Sequence, residues 1–80
     1  MSVQWTYKHG DDTIVVKNEG SVELLVNGEI QDKKDGIRTK VEMSGKLKSG
    51  ENIKVSLGGF WGIKCNLFID NILQTPVDVK

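Results

Sequence analysis

Glycine-bearing turn signals divide this chain at short, regular intervals, and each run between two signals is about as long as a β-strand. Turn signals every ~8–12 residues, separated by alternating apolar and polar residues, are typical of all-β sandwiches and barrels. We therefore predict an all-β fold, an antiparallel β-sandwich or flattened barrel of about seven to eight short strands in meander order. The signals are His9-Gly10-Asp11, Glu19-Gly20, Asn27-Gly28, Asp35-Gly36, Ser49-Gly50, Gly58-Gly59 and Asp70-Asn71.

The composition agrees with a single small β domain. The chain has 80 residues and contains no Ala, the best helix former, whereas the β-branched Val and Ile are abundant. A chain of this length has room for one small hydrophobic core. We predict one domain over residues 1–80, with residues 76–80 as a tail, because Pro76 cannot donate a hydrogen bond to a strand ladder.

Alternation of apolar and polar residues predicts strands over residues 3–8, 13–17, 22–26, 29–31, 37–43, 53–57, 63–69 and 72–74. Residues 37–43 also carry Ile37 and Val41 at helical spacing, but Gly45 and the lack of an N-cap favour a strand. Asn27-Gly28 and Asp70-Asn71 suit type I′ hairpin turns. The charged residues 32–36 are predicted to form a loop.

The predicted core consists of the apolar residues that recur on one face of these strands. Its members are Trp5, Ile14, Val16, Leu24, Val26, Ile30, Val41, Met43, Ile53, Val55, Leu57, Ile63, Cys65, Leu67 and Ile69.

Charge and segment composition argue against several classes of partner. The formal net charge is +0, from 11 basic and 11 acidic residues, so the basic excess typical of nucleic-acid binders is missing. The sequence shows neither an apolar run near the ~20 residues of a spanning helix nor a secretory leader. The single Cys65 cannot form an internal disulfide. We expect a cytoplasmic protein that binds neither nucleic acid nor membrane.

Residues suited to catalysis are sparse. His9, Asp11 and Asp12 form the one cluster that resembles a catalytic or metal site, yet their spacing matches no zinc or calcium motif, and such residues commonly form glycine turns. Cys65 alternates in phase with core residues, as a small hydrophobe would. We expect no enzyme activity, no metal and no cofactor. An enzyme using His9, Asp11 and Asp12 is the less favoured alternative.

The predicted binding site is the pair Phe60 and Trp61, flanked by Gly58 and Gly59. Two large aromatic residues in a connection could stack on a sugar or on the apolar surface of a partner, or Trp61 could close one end of the sandwich. The leading hypothesis is a non-catalytic protein-interaction module. Its partner would be another protein or a second copy, bound through this loop or a sheet edge. The alternative is a small-ligand or carbohydrate-binding β domain that uses the Phe60-Trp61 loop.

Several segments resemble those of known proteins. Four segments resemble a group of small uncharacterised bacterial all-β proteins: residues 25–32, 44–51, 55–59 and 65–71. This resemblance brings no known activity with it. A weaker resemblance is to the Fas apoptotic inhibitory molecule family, which is non-enzymatic and forms a compact antiparallel β-sandwich. It is carried by Trp5, Ile14, Val26-Asn27-Gly28, Gly45 and Ile69-Asp70-Asn71. This second resemblance implies the same fold class and no specific role.

Overall fold

The computed structural model describes residues 2–35, 40–59 and 63–80, and within them the secondary structure consists of β-strands and turns. The all-β prediction is confirmed. The strands are β1 (Val3–His9), β2 (Asp12–Glu19), β3 (Ser21–Val26), β4 (Glu29–Asp35), β5 (Lys40–Lys46), β6 (Asn52–Gly58), β7 (Lys64–Ile69), β8 (Ile72–Leu73) and β9 (Asp78–Val79).

The strands form two antiparallel sheets. Sheet A has five strands in the order β4-β3-β2-β1-β9, and sheet B has four in the order β5-β6-β7-β8. Eight of these nine strands lie beside their sequence neighbours, which confirms the predicted meander order. The exception is β9, which returns from sheet B to pair with β1 at the far edge of sheet A.

Two hairpin turns have the geometry that their residues predict. Asn27 and Gly28 both have positive φ, at 50° and 84°, and connect β3 to β4. Asp70 and Asn71 have φ of 47° and 66° and connect β7 to β8. Type I′ turns require positive φ at both central residues, so these backbone angles confirm the prediction at both hairpins.

The two sheets approach each other closely on the side where β4 faces β5. A bulge in β4 leaves Gln31 without a partner on β3, between the pairs Leu25–Ile30 and Leu24–Asp32. A Cβ on Gly45 of β5 would lie 3.0 Å from the Cβ of Gln31. The side chain of Asp32 accepts a hydrogen bond from the backbone N–H of Ser44 at 3.1 Å. The bulge therefore brings β4 against β5 and closes this side of the sandwich.

The core lies between the sheets, and twelve of the fifteen predicted core residues are buried in it. Ile30 and Ile63 were wrongly predicted, since they are 56% and 54% exposed. Ile30 pairs with Leu25 and so lies on the outer face of sheet A, and Ile63 precedes the first residue of β7. Cys65 is only partly buried, against the core. Within residues 2–35, 40–59 and 63–80, three buried residues were missed by the prediction: Tyr7, Val22 and Leu47.

The charged loop predicted at residues 32–36 is wrong over residues 32–35. These residues continue β4, and they pair with Leu24, Glu23, Val22 and Ser21. Edge strands tolerate and often carry charges, and every residue of β4 is exposed except the half-buried Asp32, so apolar alternation gave no signal here.

Two further predictions concern segment assignments. For residues 37–43, positions 40–43 belong to β5, an edge strand of sheet B, whereas 37–39 lie outside the described residues. The tail predicted at 76–80 is wrong at its end, because Trp5 pairs with Val79 and Thr6 with Asp78. Pro76 lies in the connection between β8 and β9, where it does not have to donate a ladder hydrogen bond. It therefore does not prevent β9 from pairing with β1.

Candidate functional site

The predicted aromatic site is only partly within the described residues. Gly58 is the last residue of β6 and pairs with Lys40 on one side and Lys64 on the other. Gly59 follows it and is exposed. Phe60 and Trp61 lie outside the described residues, so their role in binding stays a prediction.

His9 contacts a different carboxylate from those predicted. Its Nε2 lies 2.7 Å from Oε2 of Glu51, which precedes β6 in the other sheet. Asp12 instead accepts a hydrogen bond from the side chain of Asn27 at 2.9 Å, and Asp11 is exposed in the turn. The predicted grouping of His9 with Asp11 and Asp12 is therefore replaced by a His9–Glu51 contact between the two sheets.

The order of groups around Glu51 determines what this cluster can do. The hydroxyl of Ser49 donates a hydrogen bond to Oε1 of Glu51, while His9 contacts the other carboxylate oxygen. These two hydrogen bonds, with that from Ser49 the larger cause, hold the pKa of Glu51 below its ordinary value. A serine nucleophile needs direct contact between hydroxyl and imidazole. Here the carboxylate lies between them, so the cluster links the sheets without activating Ser49.

Cys65 faces a buried tyrosine across the core. The hydroxyl of Tyr7 on β1 donates a hydrogen bond to Sγ of Cys65 at 3.3 Å. Burial raises the pKa of the Cys65 thiol, and the Tyr7 hydrogen bond only partly offsets this effect. Burial also raises the pKa of Tyr7. A thiol with a raised pKa is a weak nucleophile at neutral pH.

The side of the sandwich opposite β4 and β5 is open, and we call β8, β9 and the connecting residues 74–77 the open edge. Ile72 pairs with the buried Ile69, and Val79 pairs with the buried Trp5. Side chains of directly paired residues lie on the same face of a sheet. Ile72 and Val79 therefore lie on the core-facing sides of the two sheets, yet they are 66% and 53% exposed.

The open edge also leaves backbone groups accessible. Strands β8 and β9 are the last strands of their sheets, and within the described residues no strand pairs with their outer sides. β8 covers β7 only at Phe68 and Ile69, with one further hydrogen bond from Gln74 to Leu67. Val77 and Leu73 are exposed beside them. The open edge thus combines apolar side chains with unpaired strand backbone.

The sequence predicts partner binding at a sheet edge but does not identify β8 or β9 as that edge. Val77 and Val79 alternate with Asp78, which is a strand signal, but the preceding Pro76 led to the tail assignment. The contact of His9 with Glu51 joins residues 42 positions apart, and only the packing of the two sheets brings them close.

Comparisons and broader features of the molecule assign no activity. The described residues contain no group of three or more His, Cys, Asp or Glu side chains arranged to hold a metal. They also contain no helix with the length and apolar character to span a membrane. No family model, no curated protein and no solved structure matches the chain. Both resemblances noted in the sequence stay predictions.

Proposed function

We propose that this chain is a non-catalytic protein-interaction module and that the open edge is its contact surface. The observation that carries this proposal is the exposure of Ile72 and Val79 on the core-facing sides of the two sheets. Apolar side chains in such positions are normally covered by the opposite sheet. Burying the exposed part of each would contribute about 1 kcal/mol to binding, from the transfer of apolar surface out of water.

The two sides of the sandwich differ in the number of charged residues on their edge strands. Charged residues on an edge strand discourage other chains from pairing with it, and β4 carries four of them in succession at positions 32–35. Residues 72–79 of the open edge contain one charged residue, Asp78, among four exposed apolar residues. This contrast favours the open edge as the side that receives a partner.

The partner that fits this surface is an extended segment of another protein. Such a segment adds to a sheet edge through backbone hydrogen bonds, and its alternate side chains enter the apolar positions. The segment would pair with the outer side of β9, the side that faces away from β1. A β-branched residue on the incoming strand would then contact Val79. Because β8 and β9 are two residues long, side-chain burial rather than the number of backbone bonds determines the specificity.

The test compares two lysine substitutions of matched exposure at opposite edges of sheet A. Val79→Lys places a charge in the open edge, and Ile30→Lys, at a residue 56% exposed on β4, is the control. Proteins captured by the wild-type chain are identified, purified and titrated against all three forms by calorimetry. We expect Val79→Lys to raise Kd at least tenfold and Ile30→Lys to leave it unchanged. Equal Kd values for the two variants would contradict the proposal.

A second copy of the chain is the other occupant to examine. Sedimentation velocity from ~10 µM to ~1 mM distinguishes a monomer from a dimer, because weak edge pairing with micromolar to millimolar Kd falls in this range. If the dimer is lost in Val79→Lys but persists in Ile30→Lys, the open edge remains the contact surface. The partner is then a second copy of the chain. A dimer that only Ile30→Lys dissociates would contradict the proposal.

A further inference from the structure

A second surface lies on the outer face of sheet B, between β4 and the strand β7 that borders the open edge. It is a groove with a volume of about 460 Å³, within the ~300–1,000 Å³ common for ligand sites. Its side chains come from four strands, and six of them carry the argument: Asp32, Lys34, Glu42, Ser44, Lys54 and Phe68.

The groove exists because β4 changes character after its bulge. Asp32 and Lys34 pair with the buried Leu24 and Val22, so they occupy core-facing positions of β4. Polar residues are stable in these positions because the strand reaches the edge of β5, where Asp32 contacts the backbone of Ser44. Asp32 and Lys34 therefore line one side of the groove, while residues of β5, β6 and β7 line the rest.

One polar group of the groove is held in a fixed position. Oδ1 of Asp32 accepts a hydrogen bond from the N–H of Lys33 at 2.8 Å, and Oδ2 accepts one from the N–H of Ser44 at 3.1 Å. Each carboxylate oxygen can accept a second hydrogen bond. Asp32 therefore presents an acceptor whose orientation is set before any ligand arrives, which reduces the entropy cost of binding.

The groove also contains an aromatic ring on an otherwise polar face. Phe68 lies on the outer face of β7, opposite Lys54 of β6, and is half-buried. Its core-facing neighbours Leu67 and Ile69 are buried, so alternation places the ring away from the core. An aromatic ring on an open sheet face provides an apolar platform for a flat ligand.

Charge balance narrows the ligand class. Asp32 and Glu42 contribute two carboxylates, and Lys34 and Lys54 contribute two ammonium groups, so the charges of these lining residues cancel. Glu42 also pairs with Lys40, which lies outside the lining, at 3.3 Å. Within the described residues neither Lys34 nor Lys54 forms an ion pair, which leaves both as donors. A phosphate or polyanion site would need a basic excess. Interspersed donors and acceptors around an aromatic ring match a neutral sugar, whose hydroxyls both donate and accept and whose C–H face stacks on a ring.

We propose that this groove binds a neutral saccharide, with the ring of Phe68 as the stacking platform and Asp32 and Lys54 as hydrogen-bonding groups. The proposed site uses neither Phe60 nor Trp61 and no residue of the open edge, although Phe68 pairs with Leu73 of β8. Saccharide binding and protein binding can therefore be lost separately.

The test is an amide chemical-shift titration of the isotopically labelled chain. The probes are the neutral hexasaccharides of glucose (β-1,4 and α-1,4), xylose, mannose and N-acetylglucosamine. We expect at least one of them to shift the amides of residues 42–44, 54–56 and 66–68. Phe68→Leu, which keeps apolar bulk without the ring, and the exposed Lys54→Ala should each weaken its binding at least tenfold. Lys33→Ala on the same β4 strand and Val79→Lys on the open edge should leave it unchanged.

Three results would overturn the proposal. The first is no shift with any of these hexasaccharides at ~10 mM, since weak single-site binding has Kd near 1 mM. The second is binding that Phe68→Leu and Lys54→Ala leave unchanged. The third is a preference of the same residues for inorganic phosphate or a sulfated oligosaccharide. Amide spectra of each variant without ligand establish that it is folded before its affinity is compared.

Discussion

At the scale of single residues, the His9–Glu51 contact makes the connection between the sheets sensitive to pH. The hydrogen bonds from Ser49 and His9 lower the pKa of Glu51 from its ordinary value of 4.5. A carboxyl whose pKa is lower in the folded state contributes stability above its unfolded pKa. That contribution is lost as the pH falls through the folded pKa. Both side chains are partly exposed, at 36% and 31%, so the contribution is modest.

We predict that the wild-type chain has a larger free energy of unfolding than Glu51→Gln and that this difference decreases as the pH is lowered. Urea unfolding at pH 5.5 should show the wild type as the more stable form, and the difference should shrink steadily below pH 4.5. Glu19→Gln, at the exposed end of β2, measures the effect of removing one negative charge elsewhere. A Glu51→Gln difference that stays constant down to pH 3 would show that the hydrogen bonds from Ser49 and His9 do not stabilise the ionised carboxylate.

Gly45 is the residue on which the approach of β4 to β5 depends. A methyl group there would lie 3.0 Å from Cβ of Gln31 and 3.2 Å from Cδ2 of Leu24. Both distances are shorter than ordinary contacts between carbon atoms, so Gln31 and Leu24 would have to shift by a few tenths of an ångström. Gly45→Ala should reduce the free energy of unfolding by about 1–3 kcal/mol, as overpacking of a core usually does.

Urea unfolding measures this effect, with Ser44→Ala as the control at the neighbouring exposed position. The control should change the free energy of unfolding by no more than ~0.5 kcal/mol, as is usual at surface positions. If Gly45→Ala is as stable as Ser44→Ala, the neighbouring side chains accommodate the methyl group, and the approach of β4 to β5 does not depend on Gly45.

At the scale of elements, β9 shows why some strands could be predicted from the sequence and others could not. Strands β1, β3 and β6 alternate clearly because one face is buried and the other is not. β4 is an edge strand that is exposed on both faces, and β9 is an edge strand of only two residues. Neither strand therefore shows a clear alternation of apolar and polar residues. Their positions depend on pairing with a neighbour, which the local pattern of a sequence does not contain.

Removal of residues 77–80 distinguishes a strand from a tail. The chain would lose at least three backbone hydrogen bonds, from Val77 to Thr6 and between Gln4 and Lys80 in both directions, as well as the pairing of β9 with β1. We expect a loss of about 1.5–4.5 kcal/mol in the free energy of unfolding, because each bond contributes roughly 0.5–1.5 kcal/mol and Trp5 loses a neighbour. Amide hydrogen exchange at Gln4 should also accelerate. A truncated chain with unchanged stability and unchanged exchange at Gln4 would restore the tail interpretation.

At the scale of the whole molecule, the two sides of the sandwich have different chemistry. One side is closed by the bulge of β4, the carboxylate of Asp32 and the close approach at Gly45. The other side ends in two short strands with Ile72 and Val79 exposed. The fold class could be predicted from turn spacing, but this asymmetry could not, since it depends on which strands become the edges.

The candidate sites depend in the same way on which strands become neighbours. The sequence predicts binding at Phe60 and Trp61 because aromatic residues stand out between glycines. The groove at Phe68 gave a weaker local signal because it is assembled from strands distant in sequence. The open edge at Val79 gave a weaker signal because its two strands are only two residues long. Phe68 alternates with core residues like any strand residue, and only the pairing with Lys54 places it on a polar face.

The measurement that tests the interaction surface most directly is a map of amide shifts when the purified partner of the capture experiment is added to the labelled chain. We predict the largest shifts in β8, β9 and the adjoining residues of β1, and their loss in Val79→Lys under the same conditions. Shifts confined to β4 and β5, or shifts that persist in Val79→Lys and disappear in Ile30→Lys, would contradict the open edge as the contact surface.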